Sequence, residues 1–240
     1  MGLDFSRYDQ RNYPTVDVRE GYRRWSASYD RRMTEDLDIW LLARLETLSW
    51  SVDHAIDLAC GTGRIGAWLA AHGVRRIEGV DLSPEMLAHA RARGVYADLH
   101  CADIRRTPLA AGVAELVVNV LSIEHLPALA PFYAEVARLC RPGATAVIVG
   151  YHPHFLLNGI PTHFPDDGEN VAIENTIHLF ADHVRAARAH GLLLRELEER
   201  LVDDEMVERV PSWKRHHGRP ASFAMVWSTQ PDGAARNENP

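Results

Sequence analysis

The segment AIDLACGTGR, residues 55–64, constrains this chain more than any other. A short apolar run gives way to two glycines one residue apart, and the following IGAWLAAHG has helical spacing that ends at Gly73. Strand, glycine turn and helix in that order form the first half of a βαβ unit. Gly61 and Gly63 let the backbone turn sharply and approach a ligand without a Cβ in the way. The helix that opens next presents free N–H groups beside the turn. Gly61, Gly63 and Gly66 also satisfy the G-x-G-x-x-G string of dinucleotide sites. The string alone therefore leaves an NAD-dependent oxidoreductase open. Two features weigh against it. Asp57 stands at the strand end before the turn, where it can hold a ligand ammonium and would repel a pyrophosphate. The helix after the next strand begins Ser-Pro-Glu-Met-Leu. Asp81 lies 20 residues beyond Gly61, at the end of that second strand, where an acid accepts from both hydroxyls of a ribose.

The same alternation continues along the chain. RIEGVDL reads as a strand, and SPEMLAHARARG as a helix with Ser83 as N-cap, Pro84 in its first turn and Gly94 at its end. VYADLHCAD and AELVVNVLS read as strands, the second apolar enough to be buried on both faces. APFYAEVARLC reads as a helix, RPG as a turn and ATAVIVGY as a fifth strand. Strands alternating with helices predict an α/β fold: a Rossmann-like, doubly wound, seven-stranded sheet, mostly parallel, with helices on both faces. LLLRELEERLV and PASFAMVWS supply the last two strands, the final one antiparallel. The basic SWKRHHGRP between them reads as an exposed connection. Residues 20–50 read as helical. Residues 151–177, with Pro153, Pro161, Pro165 and the run DDGEN, break the rhythm as a long and therefore functional connection. The domains expected are an N-terminal helical lid over 1–50, a main domain over 51–228 with a cap insertion at about 151–177, and a disordered tail over 229–240.

Five stations in this order resemble the class I SAM-dependent methyltransferases, in particular the small-molecule group often called methyltransferase type 11. They are DLACGTG, GVDLSPEML, CADIRRTPL, LVVNVLSIEHL and RPGATAVIV. The resemblance covers roughly residues 50–150. It implies S-adenosyl-L-methionine (SAM) as cofactor, with S-adenosyl-L-homocysteine as product. It implies that Gly61 and Gly63 pack under the cofactor, with Ala59 in the same turn, and that Asp57 supports the loop or the methionyl amine. Asp81 would hold the ribose and Leu82 and Met86 flank the adenine. Asp103 would accept from the adenine amine with Ile104 beside it, and Asn119 and Leu121 would line the floor. Tyr22 and Tyr29 of the lid would close over the cofactor. Ordinary structural roles stay open for each: a tight turn for the glycines, a helix-dipole partner for Asp81, plain packing for Met86, Tyr22 and Tyr29.

Methyl transfer from a sulfonium is an in-line displacement, so the protein must mainly align a nucleophile, and a general base helps when that nucleophile is a hydroxyl. His125, just after the fourth strand, is the first candidate base. Tyr151, His152 and His154 follow the fifth strand, whose carboxyl end faces the ligand crevice of an open sheet. His163 and His178 bracket the cap. His152, His154, His163, Asp166 and Asp167 are rich in ligand atoms, but their spacing matches no zinc or iron pattern, and no metal is expected. The histidines favour O-methylation of a small-molecule acceptor over N-methylation. The alternatives are a SAM-binding enzyme that catalyses a rearrangement or cyclisation, and a non-catalytic SAM-binding module.

Composition bounds the partners. Net charge is −7 with no basic run, which argues against nucleic acid. No apolar run approaches the ~18 residues that span a membrane, and MGLDFSRYDQRNYPT lacks the pattern of a signal peptide, so a cytoplasmic location is expected. Cys60, Cys101 and Cys140 are odd in number and unpaired in spacing, as reduced thiols are. Lys214 is the only lysine beside many arginines and alanines, a bias typical of GC-rich bacterial genomes. That bias and the unusual cap suggest specialised metabolism. A monomer and a homodimer are equally compatible with the sequence.

Overall fold

A computed structural model of the protein describes residues 2–32 and 37–230. Its elements in chain order are β1 (Leu3–Asp4), β2 (Thr15–Val16), α1 (Val18–Trp25), α2 (Tyr29–Arg32), α3 (Ile39–Leu42), β3 (His54–Leu58), α4 (Arg64–Ala71), β4 (Arg76–Asp81), α5 (Pro84–Arg93), β5 (Asp98–Cys101) and β6 (Ala114–Val120). Then follow α6 (Ala130–Leu139), β7 (Cys140–Tyr151), α7 (Pro153–Leu157), β8 (His163–Asp166), β9 (Glu169–Ile173), β10 (Thr176–Ile177), α8 (Phe180–Ala189), β11 (Leu193–Leu201), α9 (Asp204–Arg209) and β12 (Pro220–Ser228).

The main sheet has seven strands in the order β11-β12-β7-β6-β3-β4-β5. The pairs among β3 to β7 are parallel, and β12 runs antiparallel to both of its neighbours. This is the doubly wound, Rossmann-like sheet expected, with the last strand of the chain inserted second from the edge. Alternate residues of the central strands face opposite cores. Ile56, Leu58, Val117 and Ile148 meet residues of α6 and α8 on one side. Ala55, Leu116, Val118 and Val147 meet residues of α3, α4 and α9 on the other. Strands that bury both faces need the near-continuous apolar runs seen in the sequence. Helix ends follow local chemistry: Ser83 Oγ accepts from the Met86 N–H at 3.2 Å, and Gly94 closes α5 at φ +67°.

The sequence divides where β3 leads one way to β4 and β6 joins from the other side. At such a switch point the carboxyl ends of neighbouring strands diverge and leave a crevice. Backbone strain is concentrated there: Ala59, following β3, and Leu121, following β6, take left-handed conformations at φ +58° and +52°. Each non-glycine residue held there costs on the order of 1–2 kcal/mol.

The lid and the cap depart from expectation. The described residues of 20–50 form three short helices rather than one long pattern, and Asp17 and Asp38 cap the starts of two of them. The cap is no irregular loop. Its β8–β9 hairpin turns on Asp167 and Gly168, at φ +46° and +89°. N-terminal β2 pairs with β9, and β1 with β10. Lid and cap are thus one body. Of the expected disordered tail, Thr229 is held by the Arg141 and Ala144 carbonyls, and residues 231–240 lie outside the described residues. SWKRHHGRP is only partly an exposed connection, since His216 is buried and Trp213 stacks on Phe155 at 5.2 Å. No helix among the described residues is long and apolar enough to cross a membrane.

Candidate active site

A pocket of about 160 Å³ opens at the carboxyl ends of β3 to β6. Ala59 and Gly61 border it from the turn after β3. Asp81 and Leu82 enter from the end of β4, with Met86 from α5, and Asp103 and Ile104 follow β5. Leu121 and His125 follow β6, and Tyr22 and Tyr29 close the pocket from the lid. A Cβ placed on Gly61 would meet nothing within 4 Å, so the turn presents bare backbone to open space.

Asp81 is fixed by its own neighbourhood. One carboxylate oxygen accepts from the Gly61 N–H at 2.8 Å and the other from the Ser83 N–H at 2.8 Å. Burial pushes its pKa up while those N–H groups pull it down. Each oxygen keeps a lone pair for a further donor.

Three expected cofactor residues do not border the pocket. Asp57 is 1% exposed beneath the turn and accepts from the Tyr96 hydroxyl at 2.7 Å; burial lifts its pKa to about 7. Its carboxyl therefore braces the turn rather than facing an ammonium. Gly63 starts α4 with φ +83° and is crowded by Tyr96 and α5, a place that suits a residue without a Cβ. Asn119 lies below the floor: its amide donates to the Leu58 carbonyl at 2.8 Å and to Ser122 Oγ at 2.7 Å, tying the ends of β3 and β6 together. Asp103 does border the pocket, but its carboxylate is gripped by Arg105, with Nε at 2.9 Å, and is held below the usual carboxylate range. An adenine amine must share that carboxylate with the guanidinium.

His125 is held at both ring nitrogens. Nδ1 lies 2.8 Å from the Glu174 carbonyl of the cap, and a carbonyl only accepts, so Nδ1 carries the hydrogen. Nε2 is then left to accept from the Tyr22 hydroxyl at 3.0 Å. Burial lowers the His125 pKa to about 4 and raises that of Tyr22, so both are neutral near pH 7. The other expected catalytic residues are elsewhere. His152 caps α7 through the His154 N–H and bonds Glu199 at 2.7 Å, and His154 contacts Asn158 at 3.1 Å. Tyr151 borders a second cavity. His178 Nε2 bonds the Leu126 carbonyl at 2.7 Å. The residues weighed as metal ligands do not gather: Asp166 pairs with Arg24, and among the described residues no His, Cys, Asp and Glu cluster is placed to hold a metal.

Several residues of the site escaped sequence reading. Asp30 bonds Thr62 in the glycine turn and pairs with Arg93, and Asp38 pairs with Arg64 at the start of α4, so acids of the lid clamp the turn. Glu124, beside His125, is 1% exposed, and neither carboxyl oxygen has a hydrogen-bond partner among the described residues. Burial raises its pKa to about 7. Asp17-x-x-Glu20 carried a capping signal for α1; the clamps and Glu124 carried none.

A doubly wound sheet with a bare glycine turn, a backbone-held aspartate after β4 and a crevice at the switch point together suit an adenosyl cofactor. Residues 56–148 match the family described as a methyltransferase domain. Over 93 residues it is 36% identical to a probable SAM-dependent methyltransferase of Mycolicibacterium smegmatis, covering 39% of this chain and 36% of that protein. Over 116 residues it is 33% identical to methyltransferase-like protein 27 of Homo sapiens, covering 44% and 47%. The chain thus matches less than half the length of these two curated relatives. The crystal structure of a SAM-dependent methyltransferase from Mesorhizobium loti shares the fold, with a TM-score of 0.64 at 21% identity over 79% of this chain and 95% of that one.

The residues present fit the cofactor. Bare backbone at Gly61 gives close approach, Asp81 offers oxygens to ribose hydroxyls, and Leu82, Met86 and Ile104 form apolar walls for a purine. At about 160 Å³ the pocket is below the ~300–1,000 Å³ usual for ligands of this size, so Tyr22 and Tyr29 must yield when it fills.

Proposed function

We propose that this chain moves a methyl group from SAM to an oxygen of a small-molecule acceptor. The observation that supports oxygen is the fixed tautomer of His125, with Nδ1–H engaged by the Glu174 carbonyl and Nε2 turned to a hydroxyl at the pocket wall. The cofactor supplies an activated methyl group when bound. The protein's part is alignment, worth on the order of 7–11 kcal/mol in favourable cases, and removal of the hydroxyl proton. An acceptor hydroxyl that takes the place of the Tyr22 hydroxyl meets Nε2 as a hydrogen-bond acceptor. With a pKa lowered to about 4, the imidazole resists early protonation by roughly 3 kcal/mol relative to water. It therefore orients the O–H first and takes the proton only as the new bond forms.

The test is methyl-labelled SAM against phenols, carboxylates, amines and indoles. Label is expected on oxygen acceptors, and His125→Ala is expected to lower kcat about 10²-fold or more with SAM affinity little changed. Label on amines alone would replace oxygen by nitrogen. Conversion of an acceptor without label would replace transfer by rearrangement or cyclisation.

A further inference from the structure

A second cavity, of about 520 Å³, is walled on one side by Trp25. That indole stacks on Tyr22 at 5.9 Å and meets Tyr29 edge-on at 4.9 Å, and both tyrosines border the cofactor pocket. Trp25 on one side, with Tyr22 and Tyr29 on the other, separates the two spaces. In a chain of net charge −7, the cavity is lined by Arg11, Arg31 and Arg215 and by no aspartate or glutamate. Some arginines outside the cavity pair with acids: Arg24 with Asp166, Arg64 with Asp38 and Arg93 with Asp30. Arg11, Arg31 and Arg215 pair with no carboxylate among the described residues. Arg215 Nε donates to His216 Nε2 at 3.0 Å, so the proton of a neutral His216 is on Nδ1. That Nδ1–H and the Trp25 indole N–H are buried in the wall with no acceptor among the described residues. The unmet groups are donors and cations. Burial first, and then the guanidinium charge of Arg11 and Arg215, lowers the pKa of both His163 and His216. Phe155 and Trp213, stacked at 5.2 Å, give one part of the wall a flat apolar face.

We propose that this cavity binds the methyl acceptor, and that the acceptor is a small aromatic hydroxy acid. Its carboxylate is held by Arg11 and Arg215, with Arg31 at the rim, and its ring lies against the Phe155–Trp213 wall. A guanidinium presents paired N–H donors that match the two oxygens of a carboxylate, which an amide or ester does not reproduce. The charge stays in the arginine cavity while the hydroxyl end reaches past Trp25 and Tyr22 toward His125. The inference rests on the methyltransferase reading and adds the chemical class of its substrate.

Calorimetry on protein loaded with S-adenosylhomocysteine tests it without turnover. The probes are 4-hydroxybenzoate, 4-hydroxycinnamate and 3-(4-hydroxyphenyl)propanoate, each compared with its neutral methyl ester. At least one acid is expected to bind tenfold or more tighter than its ester. Arg11→Ala and Arg215→Ala are each expected to reduce that preference about tenfold, and Arg11→Lys to restore part of it. These guanidiniums have no ion pairs to lose among the described residues, and an unchanged thermal midpoint verifies folding of each variant. Equal binding of acids and esters, or a preference that survives in the doubly substituted protein, overturns the inference whatever the enzyme methylates. Acid-selective binding with no label passed from SAM to the bound hydroxy acids overturns the acceptor assignment and leaves an anion-selective cavity, while the methyltransferase reading stands or falls separately on the wider acceptor screen.

Discussion

Glu124 shows how one residue can set the pH response of this protein. Its carboxyl is buried without a donor and its pKa is raised to about 7 from an ordinary 4.5. A carboxyl whose folded pKa lies above the unfolded value binds its proton more tightly when folded. The associated stability is full below about pH 4.5 and is lost as pH rises toward 7. Neighbouring His125 acts in the opposite sense. Its folded pKa of about 4 lies below the ordinary 6.5, so stability is lost as pH falls through that window. Glu124→Gln is expected to stabilise the protein by about 1–3 kcal/mol at pH 8 and to do little near pH 4.5, read from thermal midpoints across a pH series. Asp81→Ala is expected to weaken SAM binding by at least about 1 kcal/mol, because it strips acceptors from the ribose site and frees the Gly61 N–H. Calorimetry on the folded variant checks it, and unchanged affinity would refute the ribose role. Gly61 and Asp81 were legible in the sequence because a strand, a turn and a helix cap are set by neighbours in the chain. The surroundings of Asp57 were not: Tyr96 arrives from 39 residues away to cover it. Nor was the grip of Arg105 on Asp103, which depends on a side-chain rotamer.

At the level of elements, the third glycine of the turn has a steric reason. A Cβ on Gly66 would stand 2.2 Å from the Tyr96 hydroxyl oxygen, the same group that bonds Asp57. G-x-G-x-x-G here reflects helix-to-ring packing on α4 and gives no support to a dinucleotide. Gly66→Ala is expected to cost about 1–3 kcal/mol by overpacking and to loosen the brace under the turn. Denaturant unfolding measures the first effect, and SAM affinity the second. The α/β alternation from β3 to β7 was legible because buried strands and capped helices carry strong local patterns. The cap was not, although its hairpin had a signal in Asp167-Gly168, the dipeptide that favours tight turns with positive φ at both central residues. Two-residue strands such as β1 and β2 have no period to detect. They exist only because β10 and β9 supply their partners.

For the whole molecule, sheet order placed the pocket at the switch point, and everything beyond the sheet was shaped by contacts distant in sequence. The lid reaches the main domain through Asp30 and Asp38, the cap reaches the pocket through the Glu174 carbonyl on His125, and lid and cap are knitted together by β2 and β9. Because a single knitted piece roofs both cavities, neither chamber can be unroofed alone. A substrate would then be admitted only while the cofactor's own cover is raised, and the two ligands should load in a compulsory sequence, cofactor first. Product-inhibition kinetics would show S-adenosylhomocysteine competing with SAM alone, and random-order patterns would mean that the roof has two hinges.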